Sequence, residues 1–333
     1  GVIAIGGGVP SAAHFSLAET KFNLEGLAYD GITSEINVRL ADRYGNYNVL
    51  NGTAVSFYSE CGAIDRSVNL NDEGEGSVTF RTQRPAPQNL PISSDIRDWY
   101  LTTLGIQLGN NNNPFNGLCS IIAVVDGEEK FIDANGNGFY DTGEPFEDTY
   151  DDVHLDKDDD PLDIPYGSTA INYPHDASFE PLIVDVNKNG SFDGMNNSWD
   201  SVKKIVGRVN LLYTGEPMVS IGDGAGNVYA TTDEIIIPDG GRKRVYFSVH
   251  DLYFNPPIAG TSFSVTTSAG SIQGDTDHEF IDTAIPGAPV FYVDIYDNSP
   301  GAANTVSVGS LKITVDWQGV ERSYSRFVRI LNP

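Results

Sequence analysis

Along much of the chain apolar residues recur at every second position. The sets are Ile36, Val38 and Leu40; Val55 and Phe57; Val78 and Phe80; Ile205, Val209, Leu211 and Tyr213. Further on come Val245, Phe247 and Val249; Phe291, Val293 and Ile295; and Leu311, Ile313, Val315 and Trp317. A period of two puts each set on one face of an extended backbone, so each run predicts a half-buried β-strand. Clusters such as Tyr44-Gly45-Asn46 and Asn255-Pro256-Pro257 separate the runs, and no stretch keeps a 3.6-residue period for three turns. Residues 96–104 alone predict a short helix.

The segment at Asp42 repeats at Asp251. Asp42, Tyr44 and Asn46 fall on Asp251, Tyr253 and Asn255; after a one-residue gap, Gly52-Thr53, Ser56, Gly62 and Ile64 fall on Gly260-Thr261, Ser264, Gly270 and Ile272. One supersecondary unit is used twice, which implies two related β-domains, at 12–130 and 215–333. Residues 1–11 then form an N-terminal strand and hinge, 131–200 an acidic insert between the domains, and 201–214 a returning strand.

The first copy reads Val38-Arg39-Leu40-Ala41-Asp42-Arg43-Tyr44-Gly45-Asn46, then Gly52-Thr53-Ala54-Val55-Ser56-Phe57, then Gly76-Ser77-Val78-Thr79-Phe80-Arg81. It resembles the bacterial immunoglobulin-like domains of the invasin and intimin type. Tyr47 stands where that pattern usually has Pro, and in the second copy Phe254 replaces the Gly. With both copies the resemblance covers roughly two thirds of the chain, and it implies an all-β fold of two immunoglobulin-like β-sandwiches. It implies no catalytic activity.

Composition agrees with short strands and tight turns: 35 Gly, 18 Pro, 16 Tyr and 16 Phe, but 2 Met, among 333 residues. The charge adds more. With 20 Lys and Arg against 46 Asp and Glu, the net charge of −26 excludes a nucleic-acid coat. No apolar run approaches the roughly 18 residues a membrane helix needs, so the chain reads as soluble, with no membrane span.

Residues 126–163 carry 15 Asp and Glu and two Lys, a local −13. An arbitrary acidic run of this kind is a solvated, disordered loop, but the spacing here argues for calcium. Asp133, Asn135, Asn137, Gly138, Phe139, Asp141 and Glu144 fit D-x-[DN]-x-[DN]-G-x₅-E at every defined position. Ca²⁺ takes six to eight oxygens, which a loop supplies from alternate side chains, one carbonyl (Phe139) and a bidentate carboxylate (Glu144), turning at a glycine. Pro145 follows at once and Thr142-Gly143 are poor helix formers, so this is an EF-hand-like loop without the EF-hand's helix pair, and it resembles the calcium loops inserted in bacterial surface and cellulosome proteins.

A second copy, Asp185, Asn187, Asn189, Gly190, Ser191 and Asp193, repeats the first nine positions but has Asn196 at the twelfth. Its bidentate ligand is absent or comes from elsewhere, with Asp200 the candidate. A third stretch, Asp156, Asp158 and Asp160, has Pro161 where Gly is expected; it forms a separate site or completes a neighbouring one.

Enzyme chemistry is thinly represented. There is no G-x-S-x-G, H-E-x-x-H or G-x-x-x-x-G-K-[ST], and His14, His154, His175, His250 and His278 lack ligand spacing. Cys61 and Cys119 form either a disulfide or two unpaired buried thiols. Asn51, Asn189 and Asn196 head glycosylation triplets.

These readings point to an extracellular, calcium-stabilised structural protein, a subunit of a prokaryotic surface fibre or adhesin stalk. The alternative is a calcium-dependent module that binds a carbohydrate or receptor; the scattered Trp99, Trp199 and Trp317 favour packing over such a site. Val2, Ile3, Ala4 and Ile5 form an apolar β-prone run ahead of Gly6-Gly7-Gly8 and Pro10. Such a run pairs with its own sheet or adds to a neighbour's edge, and the second mode predicts head-to-tail homo-oligomers.

Overall fold

The computed structural model describes residues 8–47, 52–88, 97–98, 101–102, 107, 113, 115–155, 182–224, 227–298 and 305–332. The chain divides into Gly1–Tyr213 and Thr214–Pro333. Both units are all-β. The N-terminal run Val2–Ile5 lies outside the described residues, and of the helix expected over 96–104 the backbone is described, as helical, at 97–98 and 101–102.

In the second unit the strands are β12 (Met218–Gly222), β13 (Glu234–Ile237), β14 (Arg242–His250), β15 (Ser262–Thr267), β16 (Ser271–Gly274), β17 (Asp277–Glu279), β18 (Val290–Tyr296), β19 (Thr305–Trp317) and β20 (Val320–Asn332). One sheet has the order β12-β14-β18-β16 and the other β13-β20-β19-β15-β17. Ile221, Val245, Phe247, Val249, Val293 and Ile295 of the first meet Ile235, Phe263, Leu311, Ile313, Val315 and Val328 of the second in one buried cluster. Of these, Val245, Phe247, Val249, Val293, Ile295, Leu311, Ile313 and Val315 are period-two positions read from the sequence. β13 pairs in parallel with the last strand while its neighbours run antiparallel, and the result is an immunoglobulin-like sandwich.

The first unit has the same plan. Its strands are β1 (Pro10–Glu19), β2 (Asn23–Leu24), β3 (Thr33–Asp42), β4 (Ala54–Ser59), β5 (Ala63–Ile64), β6 (Ser67–Asn69), β7 (Glu75–Arg81), β8 (Leu118–Gly127) and β11 (Lys203–Tyr213). They form the sheets β1-β3-β7-β5 and β2-β11-β8-β4-β6, with β2 parallel to β11. Ile36, Val38, Leu40, Val78 and Phe80 face Val55, Phe57, Ile121, Ala123 and Leu211 across the core.

The repeat seen in the sequence is a turn held by an aspartate. Asp42 Oδ1 accepts the N–H groups of Tyr44 and Asn46, both at 2.9 Å; Asp251 Oδ1 accepts those of Tyr253 and Asn255 at 2.8 and 3.0 Å. Gly45 takes the left-handed conformation the turn needs (φ 75°), and Phe254 takes it in the second copy (φ 64°). A side chain there costs about 1 kcal/mol or more; the Phe254 ring is offset by stacking on His250 at 4.3 Å.

Cys61 and Cys119 are disulfide-bonded. Ser59 pairs with Ile121, and continuing that register by two residues places Cys61 opposite Cys119. The bond therefore ties β8 to the chain just beyond the end of β4, its neighbour in the sheet.

Candidate metal loops

The acidic insert replaces a hairpin turn. In the second unit Gln318 and Gly319 alone join β19 to β20, with Trp317 opposite Val320 and both turn residues left-handed (φ 54° and 80°). In the first unit the corresponding strands β8 and β11 pair from Leu118 and Leu212 up to Gly127 and Lys203. Everything from 128 to 202 lies between them.

At the root of the insert the two glutamates are buried. Glu128 is paired with Arg43, and burial raises its pKa despite that partner. Glu129 Oε1 accepts from the Lys203 ammonium at 2.9 Å and from the Thr149 N–H at 2.8 Å. Lys203, whose side chain is 4% exposed, also donates to Thr149 O (2.7 Å) and Asp151 Oδ1 (3.0 Å). Burial opposes the charged form of Lys203, but the Glu129 and Asp151 carboxylates outweigh it and its pKa is raised. The chain then runs out and back, with Ile132 N–H on Pro145 O and Glu147 N–H on Lys130 O.

The first loop caps this ladder. Asp133 accepts the N–H groups of Gly136 (2.7 Å), Asn137 (3.2 Å) and Gly138 (2.7 Å). Glu144 spans the mouth, its two oxygens accepting the N–H of Ala134 (2.8 Å) and of Asp141 (3.0 Å), the second and ninth positions. Asn135 and Asn137 converge on Asp141 Oδ2, both at 2.6 Å. Gly136 and Gly138 are left-handed (φ 72° and 81°). The loop is anchored to the first sandwich through Gly138, whose carbonyl accepts from Arg43 Nη1 (2.7 Å) and Tyr44 Oη (3.0 Å).

The second loop repeats this geometry. Asp185 accepts the N–H groups of Asn189 (3.2 Å) and Gly190 (2.8 Å), Asn187 and Asn189 converge on Asp193, and Lys188 and Gly190 are left-handed (φ 61° and 77°). Ser191 N–H donates to Asn189 Oδ1 at 2.6 Å. The role of Glu144 is taken by Asp152, from 33 residues before Asp185: its carboxylate accepts the N–H of Val186 (2.8 Å) and of Asp193 (2.9 Å), again the second and ninth positions. Asp200 is elsewhere, accepting from Asn196 Nδ2 at 3.0 Å and lying 3.8 Å from Lys203.

The pairing of β9 (Val153–His154) with β10 (Leu182–Val184) brings Asp152 to this position. Val184 lies opposite Val153, so the residues just beyond, Asp185 and Asp152, come together. This small ladder covers the outer face of β8, where Ile122 and Val124 pack with Val153, Leu155 and Ile183. Asp156, Asp158 and Asp160 lie outside the described residues.

Each loop thus offers three carboxylates, two carboxamides and a main-chain carbonyl, a hard all-oxygen set that suits Ca²⁺ and lacks the Cys and His of softer metals. Among the described residues no three His, Cys, Asp or Glu side chains are arranged to hold a metal by themselves; the fit depends on the Asn amides and the carbonyls. An aromatic bed lies under the first loop, with Tyr140 stacked on Trp199 (4.8 Å) and Phe131 edge-on to both. The sequence pattern found both loops, but Asp152, Lys203, Glu129 and Arg43 had no local signal.

Fold and site together define a tandem immunoglobulin-like chain with two acidic loops carried on one hairpin of its first sandwich. No family model and no curated protein matches it. Similar solved structures include the D0-D1 domain of intimin, at 11% identity over 94% of this chain and 96% of that one, with a TM-score of 0.24. The Yersinia pseudotuberculosis adhesin InvE shows 10% identity over 96% and 60%, with a TM-score of 0.27. A C-terminal intimin fragment in complex with the intimin-binding domain of the translocated intimin receptor shows 7% over 94% and 62%, with a TM-score of 0.28.

Proposed function

We propose that this chain is a calcium-stabilised structural protein of the cell exterior, a subunit of a prokaryotic surface fibre or adhesin stalk. The observation that carries the proposal is the pair of loops with one backbone shape, each bridged by a carboxylate from its second to its ninth position. The first would hold Ca²⁺ through Asp133, Asn135, Asn137, the Phe139 carbonyl, Asp141 and Glu144. The second would use Asp185, Asn187, Asn189, the Ser191 carbonyl, Asp193 and Asp152. The ions neutralise carboxylates that otherwise repel one another, so calcium acts as a clamp on the insert and through it on the first sandwich. Millimolar calcium outside cells suffices for loops of this kind, and the disulfide suits an oxidising compartment.

Calorimetric titration should find calcium uptake by the chain. At a hundredfold excess over its dissociation constant each ion adds about 2.7 kcal/mol to the stability of the folded state, so chelation should lower the melting transition of the first unit. Identical melting curves with calcium and with excess chelator would remove the clamp. Assembly is proposed to run head to tail through Val2–Ile5, adding to a sheet edge of the next copy. Electron microscopy should show filaments from the full chain and none after deletion of residues 1–9; unchanged filaments would exclude that mode.

A further inference from the structure

The two loops are not independent appendages. Asp152, which bridges the second loop, lies on the segment that leaves the first. Trp199, on the segment that leaves the second loop, lies against the first. Its indole stacks on Tyr140, the eighth position of that loop, with centroids 4.8 Å apart and planes 22° apart, and meets Phe131 edge-on at 5.4 Å. Its Nε1–H donates to Glu129 O at 3.0 Å. Each loop is therefore completed by the chain that follows the other.

The two following segments are also tied to each other. Asn197 N–H donates to Asp148 Oδ2 at 2.6 Å, and Asn196 Nδ2 to Asp151 Oδ1 at 2.9 Å. The Lys203 ammonium joins Glu129, Thr149 and Asp151 in the same knot. Ordering residues 148–152 thus places 196–199, and the reverse holds.

We propose that the loops take up calcium as one cooperative pair, the first ion ordering the segment on which the second site depends; this rests on the calcium reading above. An ion at the second loop fixes Asp152, hence Asp148 and Asp151, hence Asn196, Asn197 and the indole beneath Tyr140. An ion at the first loop fixes Tyr140 and works back along the same contacts. The entropy lost on ordering the shared segments is met once, by whichever ion binds first. Because coupling between two binding equilibria is reciprocal, silencing either loop must weaken the other by the same factor.

The test is calorimetric titration of the full chain with calcium, comparing wild type with Glu144→Gln, which silences the first loop, and Asn187→Ala, at an exposed position of the second. The remaining site in each variant should bind roughly tenfold more weakly than it does in the wild type, a factor within the usual range of coupling, and the two factors should agree. Trp199→Leu touches no ligand; it should still take two ions but without the coupling. Tyr140→Leu removes the other half of the stack and serves the same purpose if the Trp199 variant does not fold. Two ions bound by wild type, with the surviving site of each variant at its wild-type affinity, would overturn the cooperative pair and leave the calcium loops standing. A wild-type chain that takes up no calcium would overturn both.

Discussion

The disulfide gives the most quantitative expectation. Cys61 and Cys119 are separated by 58 residues, with Cα atoms 5.8 Å apart, and both lie in the core of the first unit. The bond closes a loop that contains β5, β6, β7 and the connection to β8. In the chain-entropy account, closing a loop of 58 residues destabilises the unfolded state by about 4 kcal/mol at room temperature. That is a large part of the roughly 5–15 kcal/mol by which a domain is stable. Reduction, rather than Cys→Ala substitution, is the cleaner perturbation, because truncating a buried sulfur adds a cavity cost to the lost cross-link.

The assay is denaturant unfolding, oxidised against reduced, followed by hydrogen exchange resolved by peptide. Residues 203–213 report the first unit. Residues 311–317 report the second, which contains no cysteine and serves as the internal reference. The first unit should lose about 4 kcal/mol and the second should not move. The denaturant slope of the first unit should also rise, since the reduced unfolded chain is more expanded. A loss below about 1 kcal/mol, or an equal loss in both units, would refute the loop-closure reasoning.

Two further expectations follow from local geometry. Gly138 and Gly190 occupy the same loop position with the same left-handed backbone, yet a Cβ at Gly138 would overlap the Tyr44 hydroxyl whereas one at Gly190 meets nothing within 4 Å. Gly190→Ala should therefore cost about 1 kcal/mol of backbone strain and Gly138→Ala more, with Tyr44→Phe recovering part of the difference; equal costs by thermal unfolding would contradict the anchoring of the first loop at Gly138. His250 is buried, its Nδ1–H donating to Asp251 O at 2.6 Å and its Nε2 accepting from Ser220 Oγ at 2.8 Å, and burial lowers its pKa below 6.5. The unfolded imidazole then binds a proton the folded one refuses, so stability present above pH 6.5 falls as pH drops from there through the folded value. Burial raises the pKa of the neighbouring Asp251 above 3.8, which acts in the opposite sense: its contribution is present at low pH and is lost as pH rises from 3.8 through the folded value. Chemical denaturation of the second unit at pH 7.5 and 5.5 should show the histidine decline in wild type and not in His250→Gln; an equal decline in both would assign it elsewhere.

The amino-acid sequence by itself determined what depends on neighbours along the chain. Period-two alternation marked the buried faces of β3, β14 and β19, because side-chain direction in a strand follows from position alone. The Asp42 and Asp251 turns were legible as a repeat because each aspartate captures N–H groups two and four residues on. The first loop was legible for the same reason: all its proposed ligands lie within twelve residues.

Tertiary structure alone decided the pairings between distant segments. The register of β4 on β8 made one bond of two cysteines the sequence left open. The short strand β9, paired with β10 across 26 undescribed residues, brought Asp152 rather than Asp200 to the second loop. Lys203 begins a strand whose alternation says nothing of the carboxylates around its ammonium, which come from residues 129, 148, 151 and 200. Such contacts are set by which strands pair and in what register. That choice minimises the free energy of the whole sheet and is not encoded in any local window of the chain.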